Sequence, residues 1–138
     1  VTPEVTLVAK CETVAPLYAD KGLYGETRFD IYTVAPDSTM THVGWTSFSP
    51  MPGCCGVVVS HGTHLEDKFR HGYVSDAFRR LKNKVAVALG YSMMIATTDM
   101  SNIPAVGNMI KSRYKITHTF PNKRTGRLIG LGVKKLGL

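Results

Sequence analysis

The chain is poor in cysteine, holds almost no acid in its second half and has no long apolar run. Its cysteines are Cys11, Cys54 and Cys55, an odd set with two adjacent members, and adjacent cysteines rarely reach bridging geometry. A disulfide framework is therefore not expected. Buried free thiols in a reducing, cytoplasmic protein are expected instead. No apolar stretch approaches the roughly 18 residues of a membrane span, and no charged start leads into an apolar leader, so no membrane partner is expected. The sequence also lacks linkers, internal repeats and low-complexity segments. With 138 residues and 43% hydrophobic content, it reads as one globular domain over residues 1–138.

The scarcity of acids is uneven. Residues 1–67 hold three Lys or Arg against eight Asp or Glu, whereas residues 68–138 hold fourteen against only Asp76 and Asp99. An asymmetry of this size points the second half toward an anion. Cofactor phosphates, nucleic acid and an acidic protein all fit that description.

The hydrophobic pattern gives the elements. Thr2-Pro3-Glu4 is a helix opening, with a hydroxyl cap, proline at the first position and an acid near the positive end of the dipole. Val5, Val8, Cys11, Val14 and Tyr18 recur at helical spacing up to Asp20-Lys21-Gly22, which predicts an N-terminal helical segment within residues 1–27. Arg28 to Val34 and His42 to Phe48, separated by the turn Pro36-Asp37-Ser38, predict an antiparallel pair. Cys54 to Ser60 contains Val57-Val58-Val59, a run suited to a buried strand. Val74, Ala77, Phe78, Leu81, Val85 and Leu89 predict a long helix from about Tyr73 to Leu89, with Arg79, Arg80, Lys82 and Lys84 over much of the rest of its surface. Met93 to Thr97 is another strand, Pro104 to Arg113 a shorter helix. Lys115 to Phe120 and Leu128 to Lys134 form a hairpin around Asn122-Lys123-Arg124-Thr125-Gly126.

One stretch is more specific. Asn102, Ala105, Met109, Lys111 and Tyr114 fall at the spacing N-x-x-A-x-x-x-M-x-K-x-x-Y, preceded by Gly90-Tyr91 and the strand Met93 to Thr97. With the element order, this resembles the Gcn5-related N-acetyltransferase (GNAT) family over residues 28–138. The resemblance implies an α/β (α+β) fold, with a central mixed, mostly antiparallel sheet and helices on both faces. It implies that the strands before and after the long helix splay apart to receive acetyl-CoA, with backbone contacts from Val58, Val59 and Ser60. In the family a loop like [QR]-x-x-G-x-[GA] enters the long helix and holds the pyrophosphate. Phe69-Arg70-His71-Gly72-Tyr73-Val74 is the match here, with the basic residue displaced to Arg70 and valine at the last small position. The physics is that of free amides at the positive end of a helix, with glycine allowing close approach. By resemblance Asn102 faces the pantetheine region, and Lys111 belongs to the same cofactor-binding set. Where the family often has a tyrosine general acid this chain has Met109, which cannot donate a proton.

Acyl transfer to an amine needs a base, a polarised thioester carbonyl and a proton for the leaving thiolate. Ser60, closing its strand, is placed to reach the leaving sulfur. His61, His64 and Glu66, read as an adjoining loop, are candidate bases. His61-x-x-His64 lacks any paired cysteine motif, so no metal is expected. Trp45 and Phe48 are candidates for lining an acceptor groove or for the core, and Tyr114 for the core. The expected function is an N-acyltransferase moving an acetyl group from acetyl-CoA to an amine on a small molecule or protein. The alternative is a GNAT-fold protein without catalysis, binding nucleic acid or an acidic protein through its basic half. A homodimer that completes its sheet between subunits is a third option.

Overall fold

The computed structural model describes residues 7–14, 26–70 and 72–137. Within them the chain runs β1 (Leu7–Val14), β2 (Glu26–Val34), β3 (Met40–Pro50), β4 (Val57–Leu65), α1 (Tyr73–Ala88), β5 (Met93–Asp99), α2 (Ile103–Lys111), β6 (Lys115–Pro121) and β7 (Leu128–Lys135). The seven strands form one sheet in the order β1-β2-β3-β4-β5-β7-β6. Neighbours are antiparallel except β4 and β5, which run parallel and are joined by the crossover through α1.

Three readings of the sequence are corrected. Leu7–Val14 is a strand where helical spacing had predicted a helix; it pairs along its whole length with β2, from Leu7 opposite Thr33 to Val14 opposite Glu26. Leu7 and Ala9, two residues apart, both pack against the core, which is the period of a strand. The rest of that predicted helix, residues 2–6 and 15–22, lies outside the described residues. The strand begun at Val57 continues through His61 and His64 to Leu65, so both histidines are strand residues with partners on β3. Cys54 and Cys55 are exposed in the turn before β4, where no apolar neighbour covers them.

The core lies between α1 and one face of the sheet. Phe78 and Ala86 of α1 meet Phe29, Ile31, Val43, Phe48, Val58 and Met94 from four adjacent strands, all almost fully buried. Val58 opposite Met94 in the parallel pair anchors the centre of the sheet. At the other end α2 packs on β7, and a Cβ at Gly132 would stand 2.8 Å from Met109 Sδ and 3.3 Å from Tyr114 Cβ. Glycine there lets the helix come close. Both described helices approach the face that carries Lys134 of β7, whose ammonium donates to Ser112 O at the end of α2 and lies near Arg79 and Lys82 of α1.

Candidate functional site

The parallel pair is short. Only Val57 with Met93, Val58 with Met94 and Val59 with Ile95 face one another. Beyond them β4 follows β3 as far as Leu65, while β5 follows β7 as far as Asp99. The two strands therefore diverge from Ser60 and Ala96 onward and leave a V-shaped gap in the middle of the sheet.

A β-bulge sits at the closed end of the gap. Phe48 lies opposite Ser60 and Ser47 opposite Gly62, so His61 is the additional residue. Bulges re-aim side chains and twist the strand away from its neighbour. Here Ser60 is partly buried on the face of Phe48, beneath α1, and His61 is exposed and hydrogen-bonded to the buried Ser49 on the other face. One bulge thus sends a hydroxyl and an imidazole to opposite sides of the gap.

The remaining candidate bases stand farther along β4. His64 stacks on Trp45, with ring centroids 6.3 Å apart, and its Nε2 is 3.9 Å from Glu66 Oε1. Glu66 is tied to His42, whose two ring nitrogens reach Glu66 at 3.3 Å and Asp30 at 3.0 Å. Burial opposes ionisation of Asp30, but its hydrogen bonds with His42 and Arg28 outweigh this and hold its carboxyl below the usual range. Trp45 carries Arg28 over its ring and lies against Gly62, on the opposite face from Phe48. Phe48 is core and Trp45 is a surface platform. The structure places Ser60 and His61 at the closed end of the gap on opposite faces of the sheet, with His64 and Glu66 farther toward its mouth.

Between β4 and α1 the chain makes a 3₁₀ turn over Asp67–Phe69 and then reaches Gly72 with φ of 97°. This left-handed conformation suits glycine, and no side chain at Gly72 caps the helix. The first-turn amides of Tyr73, Val74 and Ser75 therefore keep the orphan donors of an uncapped N-terminus at the mouth of the gap. Arg70 is held by the loop itself, donating to Leu65 O at 3.0 Å and pairing with Asp67 at 3.1 Å. Tyr73 is exposed and Val74 packs against the core; His71 lies outside the described residues.

On the β5 side, Asn102 caps α2 by accepting from Ala105 N at 3.2 Å, which explains the Asn-x-x-Ala spacing by local structure alone. Lys111 is exposed in the last turn of α2. Met109 is buried against Gly132, and Tyr114 is buried in the core as expected. The Tyr114 hydroxyl makes no hydrogen bond, although the Ser60 side chain lies beside it. Burial pushes this phenol well above its ordinary range, and Ser60 offsets only part of that.

Ser49, Lys82 and Lys134 were not anticipated as members of the site. Lys82 projects from the buried face of α1, four residues from both Phe78 and Ala86, and donates to Thr63 Oγ1 on β4 at 2.7 Å. Burial, then the charge of Lys134, pull its ammonium down to about 7. Lys134 is 6% exposed and lies 4.4 Å over the Tyr114 ring; burial, then Arg79, bring it down to about 8. Arg79 itself pairs with Asp76. Helical phase could have flagged Lys82, because it falls on the apolar stripe.

A parallel pair that ends after three residues, a bulge at its closed end and an uncapped helix at its mouth make a defined arrangement, and the fold that carries it is shared with solved structures. A protein assigned to the GNAT acetyltransferase family from Desulfovibrio desulfuricans superposes with a TM-score of 0.65 at 11% identity, over 88% of this chain and 74% of that one. The fold is that of the GNAT acetyltransferases. A second protein assigned to the family, from Chromobacterium violaceum, gives 0.65 at 15% identity over 80% of this chain, which spans 56% of its length. An aminoglycoside 6'-N-acetyltransferase complexed with coenzyme A gives 0.59 at 16% identity, over 80% of this chain and 74% of that one. No family model and no curated protein matches the sequence. Among the described residues of this GNAT fold, no helix is long and apolar enough to cross a membrane, and no three His, Cys, Asp or Glu side chains are grouped to hold a metal.

Proposed function

We propose that the chain is a GNAT N-acyltransferase, active in the cytoplasm, that moves an acetyl group from acetyl-CoA to a primary amine. The observation that carries this reading is the gap between β4 and β5 with the bulge at its closed end. The uncapped amides after Gly72 receive the pyrophosphate at the mouth, where the helix dipole favours negative charge. The pantetheine arm lies between the diverging strands, flanked by Val58, Val59 and Ser60 on one side and by α2 on the other. Main-chain amides near the bulge polarise the thioester carbonyl.

His61 takes the proton of the attacking amine, its ring oriented by Ser49. The Ser60 hydroxyl, on the opposite side of the strand, donates a hydrogen bond to the departing thiolate, which takes its proton from solvent, where the family often has a tyrosine acid and this chain has Met109. The exposed thiols of Cys54 and Cys55 suit a reducing compartment.

The test is thiol release from acetyl-CoA in the presence of a panel of primary amines. Amine-dependent release by the wild-type chain, reduced at least 100-fold in His61→Ala, is expected. A second reading rests on Met109, which cannot donate a proton where the family often has a tyrosine, and on the exposed cations of the last hairpin, Lys115, Lys123, Arg124, Arg127 and Lys135. If the protein binds coenzyme A but releases no thiol with any amine, it is a binding protein, and salt-sensitive attachment to a DNA duplex is the next measurement.

A further inference from the structure

The α1–α2 side of the gap gathers positive charge from two elements. Lys82 enters from α1, Lys134 from β7 and Tyr114 from the residue just before β6, and all three stand on the face that carries Phe48 and Ser60. Lys82 Nζ is 6.0 Å from the Phe48 ring and bonded to Thr63; Lys134 Nζ is over the Tyr114 ring and bonded to Ser112 O. Among the described residues neither ammonium has a carboxylate within ion-pair distance. Asp76, in the first turn of α1, is paired with Arg79 and not with either lysine. The Tyr114 hydroxyl, 9% exposed as a residue, is buried without a hydrogen bond.

Holding two like charges near each other, Lys134 buried and Lys82 half-buried, is costly, and each leaves donor capacity unused, as does the phenol. A carboxylate offers about four lone-pair positions, enough for both ammonium groups and one hydroxyl. An alkyl or phenyl group in the same place would leave these donors unpaired. The depressed ionisation of both lysines has the same origin, and a bound anion would reverse it.

We propose that this side of the gap is a carboxylate-binding pocket, in which Lys82, Lys134 and the Tyr114 hydroxyl hold a carboxylate carried by the acyl chain or by the acceptor. The proposal rests on the acyltransfer reading and narrows it. A carboxylate on the acyl chain makes the donor a dicarboxylic acyl thioester. A carboxylate on the acceptor makes the acceptor an amino acid.

The test has two arms and one control. Coenzyme A, propionyl-CoA and succinyl-CoA are titrated calorimetrically into the wild-type protein, Lys82→Met and Tyr114→Phe. Acetylation of glycine is compared with that of ethylamine in the same three proteins. The expected result is a preference of tenfold or more for the carboxylate-bearing ligand in one arm. Lys82→Met abolishes that preference, and the near-isosteric Tyr114→Phe lowers it severalfold, while coenzyme A itself binds all three alike.

A preference in the first arm assigns the pocket to the acyl chain, and one in the second assigns it to the acceptor. If coenzyme A binds but neither arm shows a preference above twofold, or the preference survives in Lys82→Met, the pocket is refuted and acyltransfer stands. If no form of coenzyme A binds the folded wild-type protein, the acyltransfer reading fails and the pocket with it.

Discussion

His61 and Ser60 are adjacent in sequence, yet the bulge gives them different surroundings: one exposed against Ser49, the other beside a buried phenol. That difference makes separate predictions. Ser49→Ala should leave donor binding unchanged and lower amine-dependent turnover severalfold, because the imidazole loses its orientation; unchanged turnover would remove Ser49 from the account. In the core, Phe78→Ala should cost about 3–5 kcal/mol in urea unfolding, since the side chain is 2% exposed and centred under α1. Ser60, His61 and Gly72 could be singled out from the sequence. Lys82 and Lys134 could not be joined, because their meeting depends on α1 and β7 reaching the same face. The thiols of Cys54 and Cys55 were read as buried from residue type alone, and the turn Met51–Gly56 exposes them.

Among the elements, α1, α2 and the last six strands were legible because period and turn chemistry agree with tertiary packing. Val57-Val58-Val59 announced the strand that anchors the sheet. β1 was not legible: Val5, Val8, Cys11 and Val14 satisfy a helical period, and only pairing with β2 shows that Leu7–Val14 is extended. The extension of β4 through two histidines was equally hidden, since a polar run on a strand next to an open gap reads as loop. The bulge leaves no mark in composition, so the divergence of β4 from β5 had to be borrowed from a family resemblance. The α2–β7 contact is testable by itself. Gly132→Val should press Met109 and Tyr114 away from the sheet and cost about 1–3 kcal/mol, measurable by chemical unfolding. At the head of α1, Gly72→Glu should keep the fold but lose affinity for coenzyme A, through strain at a φ of 97° and a carboxylate placed where phosphate is expected. Wild-type affinity in a folded Gly72→Glu protein would displace the phosphate site from that loop.

The molecule as a whole concentrates cations in its second half, and two sets of them stand in contrasting surroundings. Those of the last hairpin are exposed, while Lys82 and Lys134 are drawn into the fold with Arg79 nearby. The second group couples folding to pH. An unfolded lysine titrates near 10.4, whereas Lys82 and Lys134 titrate at about 7 and about 8 in the folded protein. Between those values the unfolded chain binds more protons, so stability should rise as pH increases from about 7 toward 10. Thermal unfolding of Lys82→Met should show a smaller rise over that interval than the wild type. Equal slopes would mean that Lys82 keeps an ordinary ammonium.

The central claim is that the gap between β4 and β5 receives an acyl-coenzyme A, and calorimetric titration of the wild-type protein with acetyl-CoA tests it most directly. Saturable binding of one acetyl-CoA per chain in the micromolar range is expected, retained by Tyr114→Phe and lost in Gly72→Glu. Absence of binding by the folded wild-type protein would contradict it, leaving a GNAT fold whose central gap serves some other ligand.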